Sequence, residues 1–252
     1  MTVALLLAGA LGGLVGTAGG IASLVCYPAL LAVGVHPLAA GLVNNVAFVT
    51  CWPASALASR PELRGRARWL VPWTALAAVG SGAGALLLLS TPPGVFRRVV
   101  PALVICGVVA LAVGPRLAAR RARALAARPS GALGDLTLPA GMVPVAVYNG
   151  YFGAGSGIMF LALLTAVVEP HLQRANALKN VLVGAGATAA AATIVASGRV
   201  DWAAALPLAA GLAVGSSLGP RVARRLPARP LRLAIEALGV ALAIQLWFAP
   251  GL

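Results

Sequence analysis

The sequence predicts an all-α polytopic membrane protein of two inverted repeats, each a broken re-entrant helical hairpin followed by three transmembrane helices. Three observations carry that expectation. The 252 residues are 60% hydrophobic and 10% charged, with a mean hydropathy of +0.95, whereas about a quarter of a soluble domain's residues are charged. The apolar residues gather in stretches of about 20 separated by arginine clusters, as in a chain that crosses a bilayer repeatedly. A set of glycine, histidine and asparagine positions also recurs after 135 to 137 residues.

The apolar stretches run over 3–34, 37–58, 69–90, 96–114, 135–168, 173–197, 201–219 and 231–249. Six have the length of one crossing. The stretches 3–34 and 135–168 are too long for one crossing and too short for two. Each is interrupted by glycine, at Gly16-Thr17-Ala18-Gly19-Gly20 and at Gly153-Ala154-Gly155-Ser156-Gly157. No charged residue precedes Arg60, so the first stretch lacks the basic flank of a signal peptide and is read as part of the membrane domain.

These interruptions anchor the repeat. Gly13-x-x-Gly16-x-x-x-Gly20-Ile21 falls on Gly150-x-x-Gly153-x-x-x-Gly157-Ile158. His36 falls on His171, Asn44 on Asn180, and Gly80-Ser81-x-x-Gly84 on Gly215-Ser216-x-x-Gly219. The predicted organisation is a first repeat over 1–114, a basic cytoplasmic linker over 115–134 and a second repeat over 135–252. Gly80, Gly84, Gly215 and Gly219 read as packing glycines of the GxxxG kind.

Arginine placement decides how the long stretches sit. The chain carries 19 Lys and Arg against 5 Asp and Glu, a formal charge of +14. If every stretch crosses once, the basic residues divide 10 against 9 and no orientation is preferred. If the two long stretches are hairpins that enter and leave by one face, the division becomes 16 against 3, with only Arg97, Arg98 and Arg199 outside. The positive-inside rule selects the second arrangement. Each half then has three full crossings, so the halves are inverted copies and both termini face outside. The basic excess is thus explained by topology, with the lipid bilayer as partner, and no nucleic acid is expected.

Inverted repeats with broken helices at matching positions are a transporter architecture, with substrate held near the midplane. Second half-helices starting near Ile21 and Ile158 would aim free N–H groups and positive dipole ends at the membrane centre, which makes an anion site. Asn44 and Asn45 lie about 10 Å into the next helix of the first half, and Lys179 and Asn180 about as deep in the second. Lys179 is the only lysine, and a lysine in an apolar helix is a site candidate unless it snorkels back to the surface. The expected substrate-binding set is Gly16, Thr17, Gly19, Gly20, Asn44, Asn45, Gly153, Gly155, Ser156, Gly157, Lys179 and Asn180.

Gly-x-x-Gly-x-x-x-Gly-Gly followed by Pro28-x-Leu30-Leu31, its degenerate copy at Gly150 to Gly157, and Ala175-x-Ala177-x-Lys179-Asn180 leading to Gly198-Arg199-Val200-Asp201-Trp202 resemble the TauE/SafE family of membrane transporters. The resemblance spans nearly the whole chain. It implies a permease of the bacterial inner membrane that exports a small sulfur-containing anion such as sulfite or sulfoacetate. The second hairpin has no proline matching Pro28, and Leu42-Val43 stand where a hydroxyl residue is expected before Asn44, so the resemblance leaves the substrate open.

The acidic residues read as structural: Asp201 as a helix N-cap, Glu236 as an ion-pair partner of Arg232, Glu169 at the exit of the second hairpin. An anion exporter needs no membrane carboxylate, because an inside-negative potential expels negative charge. A membrane-embedded enzyme is the alternative from another class. It would need a nucleophile with a base or a metal cluster, and His36 and His171 fall on opposite faces. No catalytic residue, metal or cofactor is therefore expected. Cys26, Cys51 and Cys106 stand singly and read as small core residues. A non-transporting scaffold would not need paired glycine breaks, and a homodimer is compatible with the apolar surface.

Overall fold

The computed structural model describes residues 1–19, 22–96, 98–99, 101–103, 105, 109, 113, 134–169 and 171–223. Gly20, most of the basic linker and the last apolar stretch lie outside the described residues.

Among the described residues every regular element is helical: α1 Thr2–Gly19, α2 Ser23–Ala32, α3 Pro37–Ala47, a 3-10 turn Phe48–Thr50, α4 Cys51–Ala58, α5 Arg60–Leu63, α6 Ala67–Ser90, α7 Gly134–Tyr151, α8 Ser156–Val167, α9 Leu172–Ala196 and α10 Trp202–Ala223. Both over-long stretches are divided, one into α1 and α2, the other into α7 and α8. The first division falls later than expected. α1 stays helical through Gly16 and Thr17, where the Thr17 hydroxyl donates to the Gly13 carbonyl at 2.9 Å. The second falls at 152–155. There Phe152 and Gly153 both donate to the Tyr148 carbonyl, and Gly153 and Gly155 each adopt φ of +78°. This left-handed geometry ends one helix and starts the next within four residues, and a side chain there would be strained.

The stretch 37–58 departs from a single regular crossing. It is interrupted by the 3-10 turn, where the Thr50 hydroxyl reaches the carbonyls of Ala47 and Ala209, both at 2.9 Å. His36 and His171 precede the first residues of α3 and α9, and Asp201 caps α10 by accepting from the amides of Ala203 and Ala204 at 3.1 and 3.3 Å. The Asp201 cap matches the N-cap role read from the sequence.

The first helix of each hairpin packs on a helix from the other half of the chain, α1 on α10 and α7 on α6. Small residues make both crossings close. A Cβ on Gly13 would meet the Leu212 carbonyl and the Ser216 amide, and one on Gly215 the Ala10 carbonyl. A Cβ on Gly150 would meet the Ser81 carbonyl, and one on Gly84 the Val147 carbonyl. The two crossings use glycines related by the sequence repeat, and backbone contact of this kind is how membrane helices associate without a hydrophobic driving force.

α6 and all but the first residue of α9 are long and apolar enough to cross a bilayer. Val71, Val79, Leu86 and Leu87 on α6, Val3, Leu7 and Leu11 on α1, and Leu206 and Val214 on α10 point outward and are largely exposed. In a soluble protein so much outward apolar surface would drive aggregation; in a bilayer it faces lipid. Inside lie two clusters. One gathers Leu5, Leu24, Tyr27, Leu30, Val43 and Leu212, the other Leu70, Met142, Phe160, Leu164, Leu178 and Leu182. The Phe152 ring, in the second break, stands edge-on to Tyr27 of α2 at 5.2 Å, which ties the two hairpins together.

Two polar contacts mark the ends of the bundle. Arg66, just before α6, pairs with Glu169 at 2.6 Å, and Glu169 also accepts from the His171 amide at 3.2 Å and lies 2.8 Å from its Nδ1. At the other end of α6, Arg199 donates to the Leu89 carbonyl at 2.8 Å. The start of α9 therefore lies beside the start of α6, and its end beside the end of α6, so the two run the same way.

Glu169, in the turn between α8 and α9, is buried. Burial pushes its carboxyl up, but the hydrogen bonds from His171 and the charges of Arg66 and Arg174 outweigh that and hold it below its ordinary value of 4.5. A carboxylate so depressed contributes stability above its unfolded value, lost as pH falls below that value toward the folded one. The wild type in detergent is therefore expected to lose Tm steeply below about pH 4.5, while Glu169→Gln, less stable at neutral pH, should show a flatter acid limb. Parallel acid limbs would show that the pair contributes nothing.

Candidate functional site

A cavity of about 50 Å³ opens where the hairpin breaks converge, lined by residues of both halves. Gly16 and Thr17 come from the end of α1, Ser23 from the first turn of α2, and Asn45 from α3. Phe48, Cys51 and Trp52 come from the 3-10 turn and α4, Asn149 from α7, and Gly153, Ser156 and Gly157 from the second break and the start of α8. Lys179, Asn180, Val183, Gly184 and Ala187 lie along α9.

Eight residues of the expected set share this wall: Gly16, Thr17, Asn45, Gly153, Ser156, Gly157, Lys179 and Asn180. Two do not. Asn44 lies behind the wall, its amide donating to the Ser23 hydroxyl at 3.1 Å, so it orients a lining residue instead of lining. Gly155 precedes α8, off the wall. Gly19 ends α1, but its surroundings, like Gly20 itself, lie outside what the structure describes.

The electrostatics centre on Lys179. It starts the third turn of α9, about 10 Å from the helix start at 1.5 Å per residue. The residue is 2% exposed and, among the described residues, its Nζ has no hydrogen-bond partner, so it does not snorkel to the surface. Among the described residues it is the one charged side chain in the wall. An ammonium taken out of water costs several kcal/mol unless something compensates it. Such a group in a cavity wall calls for an anion.

Around it the neutral groups are held in place. The Asn45 amide donates to the Gly150 carbonyl at 3.3 Å. The Ser156 hydroxyl lies 2.6 Å from Asn149 Oδ1 and 2.8 Å from the Gly153 carbonyl. Asn149 Nδ2 donates to the Ser81 hydroxyl at 3.1 Å, which donates to the Ala146 carbonyl at 2.9 Å. The start of α8 faces the same space. The Ser156 amide bonds back to Gly153, and those of Ile158 and Met159 to Gly155. The Gly157 amide, with no such backbone acceptor, and the positive helix end remain for a ligand.

Sequence reasoning missed Ser23, Asn149, Phe48, Cys51, Trp52, Val183, Gly184 and Ala187. The last three were within reach: they follow Lys179 and Asn180 at i+3, i+4 and i+7 to i+8, one face of one helix. Gly184 is where the Trp52 side chain packs, since a Cβ there would strike it.

Comparison with known proteins places this architecture. The sulfite exporter TauE/SafE family matches residues 1–246. The chain belongs to that family. Similar proteins include the probable membrane transporter protein ORF9 of Sinorhizobium sp, 24% identical over 98% of this chain and 92% of the relative. Another is the probable membrane transporter protein YfcA of Escherichia coli K12, 26% identical over 84% of this chain and 77% of the relative. No solved structure matches the chain. For this TauE/SafE protein the membrane setting follows from the family, and the outward apolar side chains of α1, α6 and α10 agree with it.

Proposed function

We propose that this TauE/SafE protein is a secondary permease of the bacterial inner membrane. It moves a small anion, a sulfur oxyanion or organosulfonate such as sulfite or sulfoacetate, out of the cell through the cavity between its hairpin breaks. One observation carries the proposal: the buried Lys179 ammonium, without a hydrogen-bond partner among the described residues, stands in a cavity whose wall comes from both broken hairpins. An enzyme would need a nucleophile and base in that wall; Cys51 and Ser156 are there, but among the described residues no histidine or carboxylate is.

In this proposal the two halves, 1–114 and 135–252, are inverted repeats joined by the cytoplasmic linker 115–134, and the multi-pass chain has both termini outside. The parallel run of α6 and α9 supports this topology. If each long stretch crossed once, an odd number of crossings would separate the starts of the two helices and they would run opposite ways. An inside-negative potential favours anion exit by about 2.3 kcal/mol per unit charge at 100 mV, a roughly fifty-fold gradient without coupling to protons.

Proteoliposomes loaded with sulfite, sulfoacetate, thiosulfate, taurine or sulfate provide the test. At least one sulfur anion should leave protein-containing vesicles well above the protein-free rate, and no efflux of any would remove the proposal. In cells, an external thiol reagent should label a cysteine introduced at position 252 and spare one at position 123; the reverse pattern would overturn the topology.

A further inference from the structure

The cavity wall is polarised beyond its charge. Lys179 supplies three N–H donors, none of them used among the described residues. Two neutral groups of the wall, Asn45 and Ser156, present the opposite character. Asn45 must turn its amide nitrogen to the Gly150 carbonyl, because a carbonyl only accepts. Its Oδ1 is thereby left on the other side, 3.5 Å from where a Cβ on Gly153 would stand. The Ser156 hydroxyl has one proton, and Asn149 Oδ1 and the Gly153 carbonyl both compete for it. Asn149 passes its own donor on to Ser81, and Ser81 to the Ala146 carbonyl, where the chain ends on an acceptor. The single Ser156 proton is thus taken within the protein, so Ser156 meets the cavity with lone pairs.

A bare oxyanion could satisfy Lys179 but would set its oxygens against Asn45 Oδ1 and Ser156 Oγ. We infer that the ligand is a monovalent oxyanion carrying its own N–H or O–H donor. Its charged oxygens lie toward Lys179 and the start of α8, and its donor toward Asn45 Oδ1 and Ser156 Oγ. This rests on the anion reading above and narrows it. One ammonium balances one negative charge, and among the described residues the wall holds no second cation. At about 10–15 Å³ per water-sized group, a cavity of about 50 Å³ holds three to five non-hydrogen atoms. A hydrogen-bearing sulfur oxyanion or a small aminosulfonate has that size.

Sulfamate and methanesulfonate separate the possibilities, since they share one SO₃⁻ group and one shape, are both monovalent at neutral pH, and differ in NH₂ against CH₃. Each is used to inhibit sulfite efflux from proteoliposomes of the full chain. A buried acceptor left without a donor weakens binding about ten- to a hundred-fold, so sulfamate should inhibit at that much lower concentration. Ser156→Ala and Asn45→Ala should each narrow the ratio, and either variant suffices if the other does not fold. Equal inhibition by the two anions in the wild type, or inhibition by sulfate as strong as by sulfamate, overturns the inference and leaves the anion reading standing. Absence of sulfite efflux with no effect of either anion on any substrate removes both.

Discussion

Lys179→Met is expected to raise the apparent substrate constant of transport ten- to a hundred-fold. A charge-assisted hydrogen bond is worth about 1.5–3 kcal/mol, and 1.4 kcal/mol is a factor of ten. Thermal stability should move the other way. The wild type holds an ammonium on a residue that is 2% exposed and has no hydrogen-bond partner among the described residues, and methionine of similar length removes that desolvation cost. Lys179→Arg should restore binding only in part, because a planar fork does not fit where a compact ammonium did. Transport kinetics and Tm on the two variants check this, and an unchanged constant in Lys179→Met would take the lysine out of the site.

Gly157→Leu is expected to abolish transport while leaving the protein inserted and folded. Gly157 lies in the first turn of α8 and in the cavity wall. A leucine side chain brings four carbons into a space that holds three to five such groups, and it covers the helix start. No left-handed backbone is involved at Gly157, so conformational strain does not confound the result. Normal flux in this variant would mean that the anion passes elsewhere.

Much of this arrangement was legible because the membrane makes polar residues expensive. A single lysine inside an apolar helix stands out without any structure, and paired glycine runs inside over-long apolar stretches mark where helices break. The boundaries were less legible. The first glycine run suggested a break beginning at Gly16, yet α1 continues to Gly19, with the Thr17 hydroxyl bonded back to the Gly13 carbonyl within the helix. Helical phase was not legible either. Asn44 and Asn45 are adjacent and chemically alike, but about 100° of rotation apart on one helix. Only the packing of α3 puts Asn45 in the wall and Asn44 behind Ser23.

Asn149 left no sequence signal at all. It sits in α7, seven residues before Ser156, and in one continuous helix those two would be about two turns apart. The reversal at 152–155, with two glycines at positive φ, folds Ser156 back onto it at 2.6 Å. The 3-10 turn at Phe48–Thr50 is likewise fixed from outside its own segment, through the Thr50 bond to Ala209 of α10. That turn brings Phe48, Cys51 and Trp52 to the cavity. Tertiary contacts made these choices, and a single sequence does not display them.

The most direct measurement is the equilibrium distribution of sulfite across proteoliposome membranes held at a fixed potential by a potassium gradient with valinomycin. For uncoupled movement of a monovalent anion, 100 mV inside-negative should leave about fifty-fold less of it inside than outside. At zero potential and equal pH the concentrations should equalise, and a pH gradient alone should leave hydrogensulfite equal on both sides, moving total sulfite only through its own protonation equilibrium. A distribution that ignores the potential and follows the proton gradient, or no equilibration beyond that of protein-free vesicles, would contradict potential-driven anion export through this cavity.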